Sequence, residues 1–136
     1  MKEIVDPEDY LRIVEAALIE SPVVRSFSVI RRWVNADDGY IRVQATLVNG
    51  DFVEMAEYFV VETSRVLTVD YRHQWMDGDK KMLRRRWDNT PHYPNLPNFP
   101  YHVHVESESN VHPDRPRRIL DILAELEQII LHNMNG

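Results

Sequence analysis

Residues 86–104 read Arg86-Trp87-Asp88-Asn89-Thr90-Pro91-His92-Tyr93-Pro94-Asn95-Leu96-Pro97-Asn98-Phe99-Pro100-Tyr101-His102-Val103-His104, and they set three histidines within thirteen residues. His102 and His104 are two apart. On a strand both rings then project from one face, while Tyr101, Val103 and Val105 turn to the core. His92 lies in a proline-rich segment that can fold back over them, and prolines hold such a loop at low entropic cost. Two chemistries fit. In the first, the histidines act as general acid and base near neutral pH while arginines hold a phosphodiester, which is metal-free RNA cleavage. In the second, His92, His102 and His104, with Asp88, ligate a divalent metal, since His-x-His on a strand is a usable zinc spacing. A third, inert reading has the histidines bonded to loop carbonyls and locking the loop.

Arginines flank this motif. Strand 65–76 alternates Leu67, Val69, Tyr71 and Trp75 with Thr68, Asp70, Arg72 and Gln74, and strand 80–88 alternates Leu83 and Trp87 with Arg84, Arg86 and Asp88. Residues opposite each other in a sheet share a face. The apolar sets match only when positions of equal parity pair, such as 72 with 84 and 70 with 86. A strict two-residue Asp77-Gly78 turn breaks that match, so the pattern predicts a three-residue loop or a bulge there. Arg72, Gln74, Arg84, Arg86 and Asp88 then share one polar face. This is either a surface ion-pair ladder or a cationic floor for phosphate or carboxylate. Trp33, Trp75 and Trp87 read as core anchors. His73 falls on the apolar face, as a core histidine with its hydrogen bonds met.

The elements that must hold these residues follow from periodicity. Asp6 caps a first helix and Pro7 takes its first position. Tyr10, Leu11, Val14, Ala17 and Leu18 form its apolar stripe, and Ser21-Pro22 ends it. From residue 23 the period becomes two. Asn49-Gly50 is a strong hairpin signal, and Asp38-Gly39, residues 62–64 and Asp77-Gly78 mark further turns. Candidate strands are 23–35, 40–48, 51–61, 65–76, 80–88 and 100–106. Residues 89–99 are irregular. Pro113, Asp114 and Pro116 announce a second helix, in which Ile119, Ile122, Leu123, Leu126, Ile129 and Ile130 recur at helical spacing. The expected fold is α+β: an antiparallel meander of five to six strands flanked by an N-terminal and a C-terminal helix, with residues 1–136 as a single domain.

Composition narrows the function classes. The chain has 136 residues, a net charge of −6 and no cysteine, so disulfides and thiolate metal sites are excluded. Residues 72–102 nevertheless hold 6 basic and 3 acidic side chains, a basic island in an acidic protein. No stretch approaches the roughly 20 apolar residues of a membrane span. Residues 1–6 lack the apolar core of a signal peptide, which sets the expectation of a cytoplasmic protein. Glycine-rich phosphate loops, nucleophile elbows and zinc-protease helix motifs are absent.

Three segments together resemble the TumE-like toxins of prokaryotic toxin–antitoxin modules. They are Tyr71-Arg72-His73-Gln74-Trp75-Met76-Asp77, Arg86-Trp87-Asp88-Asn89-Thr90-Pro91-His92 and Phe99-Pro100-Tyr101-His102-Val103-His104. Arg86, Asp88, Asn89, His92, Pro100, His102 and His104 match the family's pattern, and Trp87 stands where a tyrosine is more usual. The resemblance implies a toxin with a cognate antitoxin of the helix-turn-helix type, and by fold-level analogy a metal-independent ribonuclease. In that reading His92, His102, His104, Asp88 and Arg86 are catalytic, Arg72, Gln74, Arg84 and Asn89 hold the substrate or the loop, and no metal or other cofactor takes part. A non-catalytic partner-binding domain and a metal-dependent hydrolase are the alternatives. A homodimer through an edge strand or a helix is compatible with either.

Overall fold

The protein is described from a computed structural model, over residues 6–135. The expected cytoplasmic start at residues 1–5 lies outside that range. Helix α1 spans Pro7–Glu20. Asp6 caps it through a reciprocal box: its carboxylate accepts from Asp9 N at 3.0 Å, and its own N–H donates to the Asp9 carboxylate at 3.3 Å. Tyr10, Leu11, Val14 and Leu18 are buried along one stripe.

Seven strands follow: β1 Val24–Val34, β2 Asp38–Leu47, β3 Phe52–Glu62, β4 Arg65–Met76, β5 Leu83–Asp88, β6 His102–Val105 and β7 Val111–Pro113; helix α2, Ile119–Asn135, closes the chain. The strands pair antiparallel in sequence order as one meander. The expected meander is therefore present, with one short strand more. The extra strand β7 contains Pro113, which the sequence pattern assigned to the approach of the second helix. Both helices contribute to one buried core with the inner sheet face, where Ile41, Val43, Val53, Met55, Phe59, Trp87 and Ile122 lie at 0 % exposure. Among the described residues, no helix covers the outer face.

Two bulges decide which residues reach that outer face. In β4, Tyr58 pairs with Asp70 but Phe59 with Thr68, so Val69 is an extra residue. Upstream of it the alternation is inverted. Leu67 and Val69, expected in the core beside Tyr71, are instead 42 % and 48 % exposed. Thr68, expected outside, turns in and donates to Glu57 at 2.9 Å. In β5, Trp75 pairs with Arg85 and Met76 with Leu83, which leaves Arg84 as the extra residue. The three-residue loop or bulge expected at Asp77-Gly78 is instead an irregular stretch, 77–82, with the bulge beyond it at Arg84; parity is kept, but the register is shifted. Arg72 faces Asp88 and Gln74 faces Arg86, where the sequence suggested 72 with 84 and 70 with 86.

Cross-strand pairing then lines up two outer rows. One runs Arg42, Ala56, Arg72, Asp88, His102; the other runs Gln44, Glu54, Gln74, Arg86, His104.

Candidate functional site

Where the two rows reach β5 and β6, Asp88, His102 and His104 converge at 4 %, 2 % and 2 % exposure. His102 Nε2 lies 2.9 Å from Asp88 Oδ1, and the two imidazole centroids are 5.0 Å apart. Each ring is fixed from behind. His102 Nδ1 is 2.9 Å from the Pro100 carbonyl and His104 Nδ1 is 2.9 Å from the Glu108 carbonyl. A carbonyl only accepts, so both Nδ1 atoms carry the proton. The Asp88–His102 contact therefore needs a further proton between Oδ1 and Nε2. On His104, Nε2 makes no protein hydrogen bond among the described residues. Burial, reinforced by the nearby Arg86 and His102 charges, holds the His104 imidazole below its ordinary proton affinity, which favours the neutral ring.

Asp88 is positioned by several groups. Thr90 N donates to Oδ1 at 3.1 Å and Arg86 Nε to Oδ2 at 3.3 Å. Arg86 also makes a bidentate pair with Glu108, which raises its own proton affinity and lowers that of Glu108. Tyr93, from the proline-rich loop, packs its ring 5.0 Å from His102 and 5.9 Å from His104. Among the described residues, Asp88, His102 and His104 are the one group of potential metal ligands whose donor atoms converge, all within 4.8 Å.

The structure gathers some of the expected site residues and disperses others. Asp88, His102, His104 and Arg86 form the cluster, and Arg72 and Gln74 border it, joined by a bond of 3.4 Å. His92 does not join. It is exposed, and it meets the cluster only through Tyr93, 6.3 Å away. Arg84 leaves the polar face at its bulge and binds Asp51 at 2.9 Å, and that carboxylate also takes the Trp75 indole N–H at 3.0 Å. Asn89 accepts from Tyr71 N at 3.2 Å and donates to the Val69 carbonyl at 2.9 Å, so it pins the loop start against the β4 bulge. His73 is the buried histidine expected. Its Nε2 is 2.9 Å from the Arg117 carbonyl, but its Nδ1 has no partner.

Trp33 is a correction. It is not a core anchor but packs on the outer face with Tyr40 and Tyr58, at 6.0 and 5.9 Å. A cleft of about 410 Å³ opens on the same face, lined by Arg42, Ala56, Tyr58, Arg72, Gln74 and Thr90. Ala56 makes it deep, because a methyl group sits where its row neighbours are long. Tyr93, Thr90 and Glu108 were not legible as site residues. Each acts through a loop conformation or a cross-strand pair that local spacing does not encode.

These features define an α+β protein with both helices on one sheet face and a buried carboxylate–imidazole cluster on the other. The family model described as Toxin TumE matches residues 13–130, and the chain belongs to that family. It is thus the toxin component of a toxin–antitoxin system, and a cognate antitoxin is its partner. No curated protein and no solved structure matches the chain. Among the described residues, no helix is long and apolar enough to cross a membrane.

Proposed function

We propose that this toxin is a single cytoplasmic domain that cleaves RNA at the Asp88–His102–His104 cluster and is silenced by an antitoxin of the helix-turn-helix type. The observation that supports RNA most is the outer row from Arg42 through Arg72 to Asp88 and His102, with the cleft beside it. Arg72 has no carboxylate bonded to it among the described residues, so its guanidinium is available to a phosphate. In the cleavage step the 2′-oxygen bonds to phosphorus and the bond from phosphorus to the 5′-oxygen breaks. The neutral His104 takes up the 2′-hydroxyl proton, and the proton held between Asp88 and His102 passes to the leaving 5′-oxygen. Thr90 and Gln74 border the reacting phosphate, and Asn89 keeps the loop in place.

A non-catalytic reading takes support from the two carbonyl bonds behind His102 and His104, since such bonds also lock a loop. Induced expression in a bacterial host separates the two. Wild type is expected to arrest growth and to leave RNA fragments with new ends. His104→Gln, expressed to equal soluble yield, is expected to do neither. Arrest by His104→Gln equal to wild type defeats the catalytic reading. Arrest by wild type without new RNA ends defeats RNA as the target.

A further inference from the structure

Of the arginines expected as a cationic floor, Arg72 alone is held by no carboxylate among the described residues. Arg84 is bound to Asp51 away from the cluster, and Arg86 is shared between Asp88 and Glu108. A phosphate arriving at the cluster meets the Asp88 carboxylate, with Arg72 beside it as a cation that no carboxylate holds among the described residues. A further positive charge at the cluster would favour that encounter.

The two imidazoles are already arranged as ligands. A metal-binding histidine nearly always donates its remote ring N–H to a carbonyl or carboxylate, which turns the other nitrogen toward the ion. His102 and His104 both do so, through the Pro100 and Glu108 carbonyls; His102 Nε2 then meets Asp88 Oδ1, and a ring nitrogen of His104 lies within 4.8 Å of the other two donor atoms. Arg86 holds Asp88 Oδ2, and Oδ1, which accepts from Thr90 N, keeps a second lone pair for a ligand role. The 2.9 Å between Asp88 Oδ1 and His102 Nε2 is shorter than the roughly 3.4 Å between two tetrahedral ligands about 2.1 Å from an ion, so the pair opens by about half an ångström to admit one. Without an ion, the same pair needs a buried proton to avoid two facing lone pairs.

We propose that Asp88 Oδ1, His102 Nε2 and His104 Nε2 bind one divalent first-row transition ion of the zinc type. Two imidazoles and one carboxylate suit zinc and its neighbours, whereas magnesium and calcium prefer oxygen donors throughout. The ion replaces the proton between Asp88 and His102 and brings two positive charges to where a phosphate would lie. This revises the metal-free route and the His92 ligand expected from the sequence. Its catalytic use rests on the RNA reading, but the binding site itself does not.

The full chain, stripped by dialysis against a chelator, is titrated with zinc chloride by calorimetry and with cobalt(II) by visible absorption. Wild type is expected to bind one ion per chain and to melt higher with it, with cobalt bands of low coordination number. Asp88→Asn and His104→Gln, each first shown to fold by circular dichroism, are expected to weaken binding by roughly a hundredfold or more. His92→Ala and His112→Ala are expected to bind as wild type does. No binding by wild type, or unchanged binding by both cluster variants, overturns the site. Loss of binding in His92→Ala or His112→Ala alone assigns the ion to the surface and also overturns it. RNA cleavage at full rate by chelator-stripped protein overturns the ion's catalytic use while the RNA reading stands. Specific zinc binding without any RNA cleavage keeps the site and removes the RNA reading.

Discussion

Single side chains carry two separable burdens here, chemistry on the outer face and charge burial in the core. His92 and His104 stand twelve residues apart in one motif, yet only His104 is buried in the cluster. His92→Ala is therefore expected to leave growth arrest near wild type, and His104→Gln to abolish it, in matched induction curves. His73 tests the other burden. Burial lowers its proton affinity from the ordinary 6.5 to about 4. The unfolded chain thus binds the proton more readily than the folded one, and stability rises with pH across that window. As pH falls from 6.5 to about 4, His73 is expected to withdraw about 3 kcal/mol, measured by urea unfolding. His73→Leu should flatten that slope; an unchanged slope would assign the pH dependence elsewhere.

Among the elements, the joint between α2 and the sheet depends on one buried carboxylate. Glu57 in β3 has 0 % exposure, and burial raises its proton affinity. It accepts from the Ile119 backbone N–H at the start of α2 at 3.0 Å, from the Tyr10 hydroxyl of α1 at 2.9 Å and from Thr68 of β4 at 2.9 Å. Negative charge at a helix N-terminus is favourable there, which offsets part of the desolvation cost. Glu57→Gln keeps the acceptor and is expected to fold normally. Glu57→Leu strands two buried donors and the half-buried Thr68 hydroxyl, and is expected to cost about 3 kcal/mol or more in thermal or urea unfolding. Gly39 in β2 makes a second test, because a Cβ there would sit 2.6 Å from the Phe59 ring. Gly39→Ala is expected to destabilise by about 1–3 kcal/mol through overpacking, read as a lowered melting temperature.

Over the whole molecule, protection should fall from the middle of the sheet to its ends. β2, β3 and β4 are each paired on both sides, and they supply buried residues such as Ile41, Val43, Met55 and Phe59. β7 has three residues and lies at one edge, and residues 77–82 and 89–101 lie outside regular strands. Hydrogen exchange followed by mass spectrometry is expected to be slowest in β2 to β4 and fastest in those loops and β7. Slow exchange across residues 92–100 would show instead that the loop over the histidines opens only with the core.

The sequence by itself determined the order of elements, the capped first helix, the antiparallel meander and the strand that projects His102 and His104 to one side. All of these are local: period, capping residue and turn chemistry act within a few positions. It also placed Asp88, Arg86 and the two histidines in one motif, which is why the family was legible. Tertiary structure alone decided that Val69 and Arg84 are bulge residues, and so which side chains share a face. A bulge inverts every position beyond it, and its place is set by packing across strands rather than by the residues that bulge. The bulge is also why Arg84 reaches Asp51, while loop conformation is why Tyr93 rather than His92 covers the cluster. The ring-nitrogen partners, the Pro100 and Glu108 carbonyls, come from loop conformation, and they turn two strand histidines into aimed ligands.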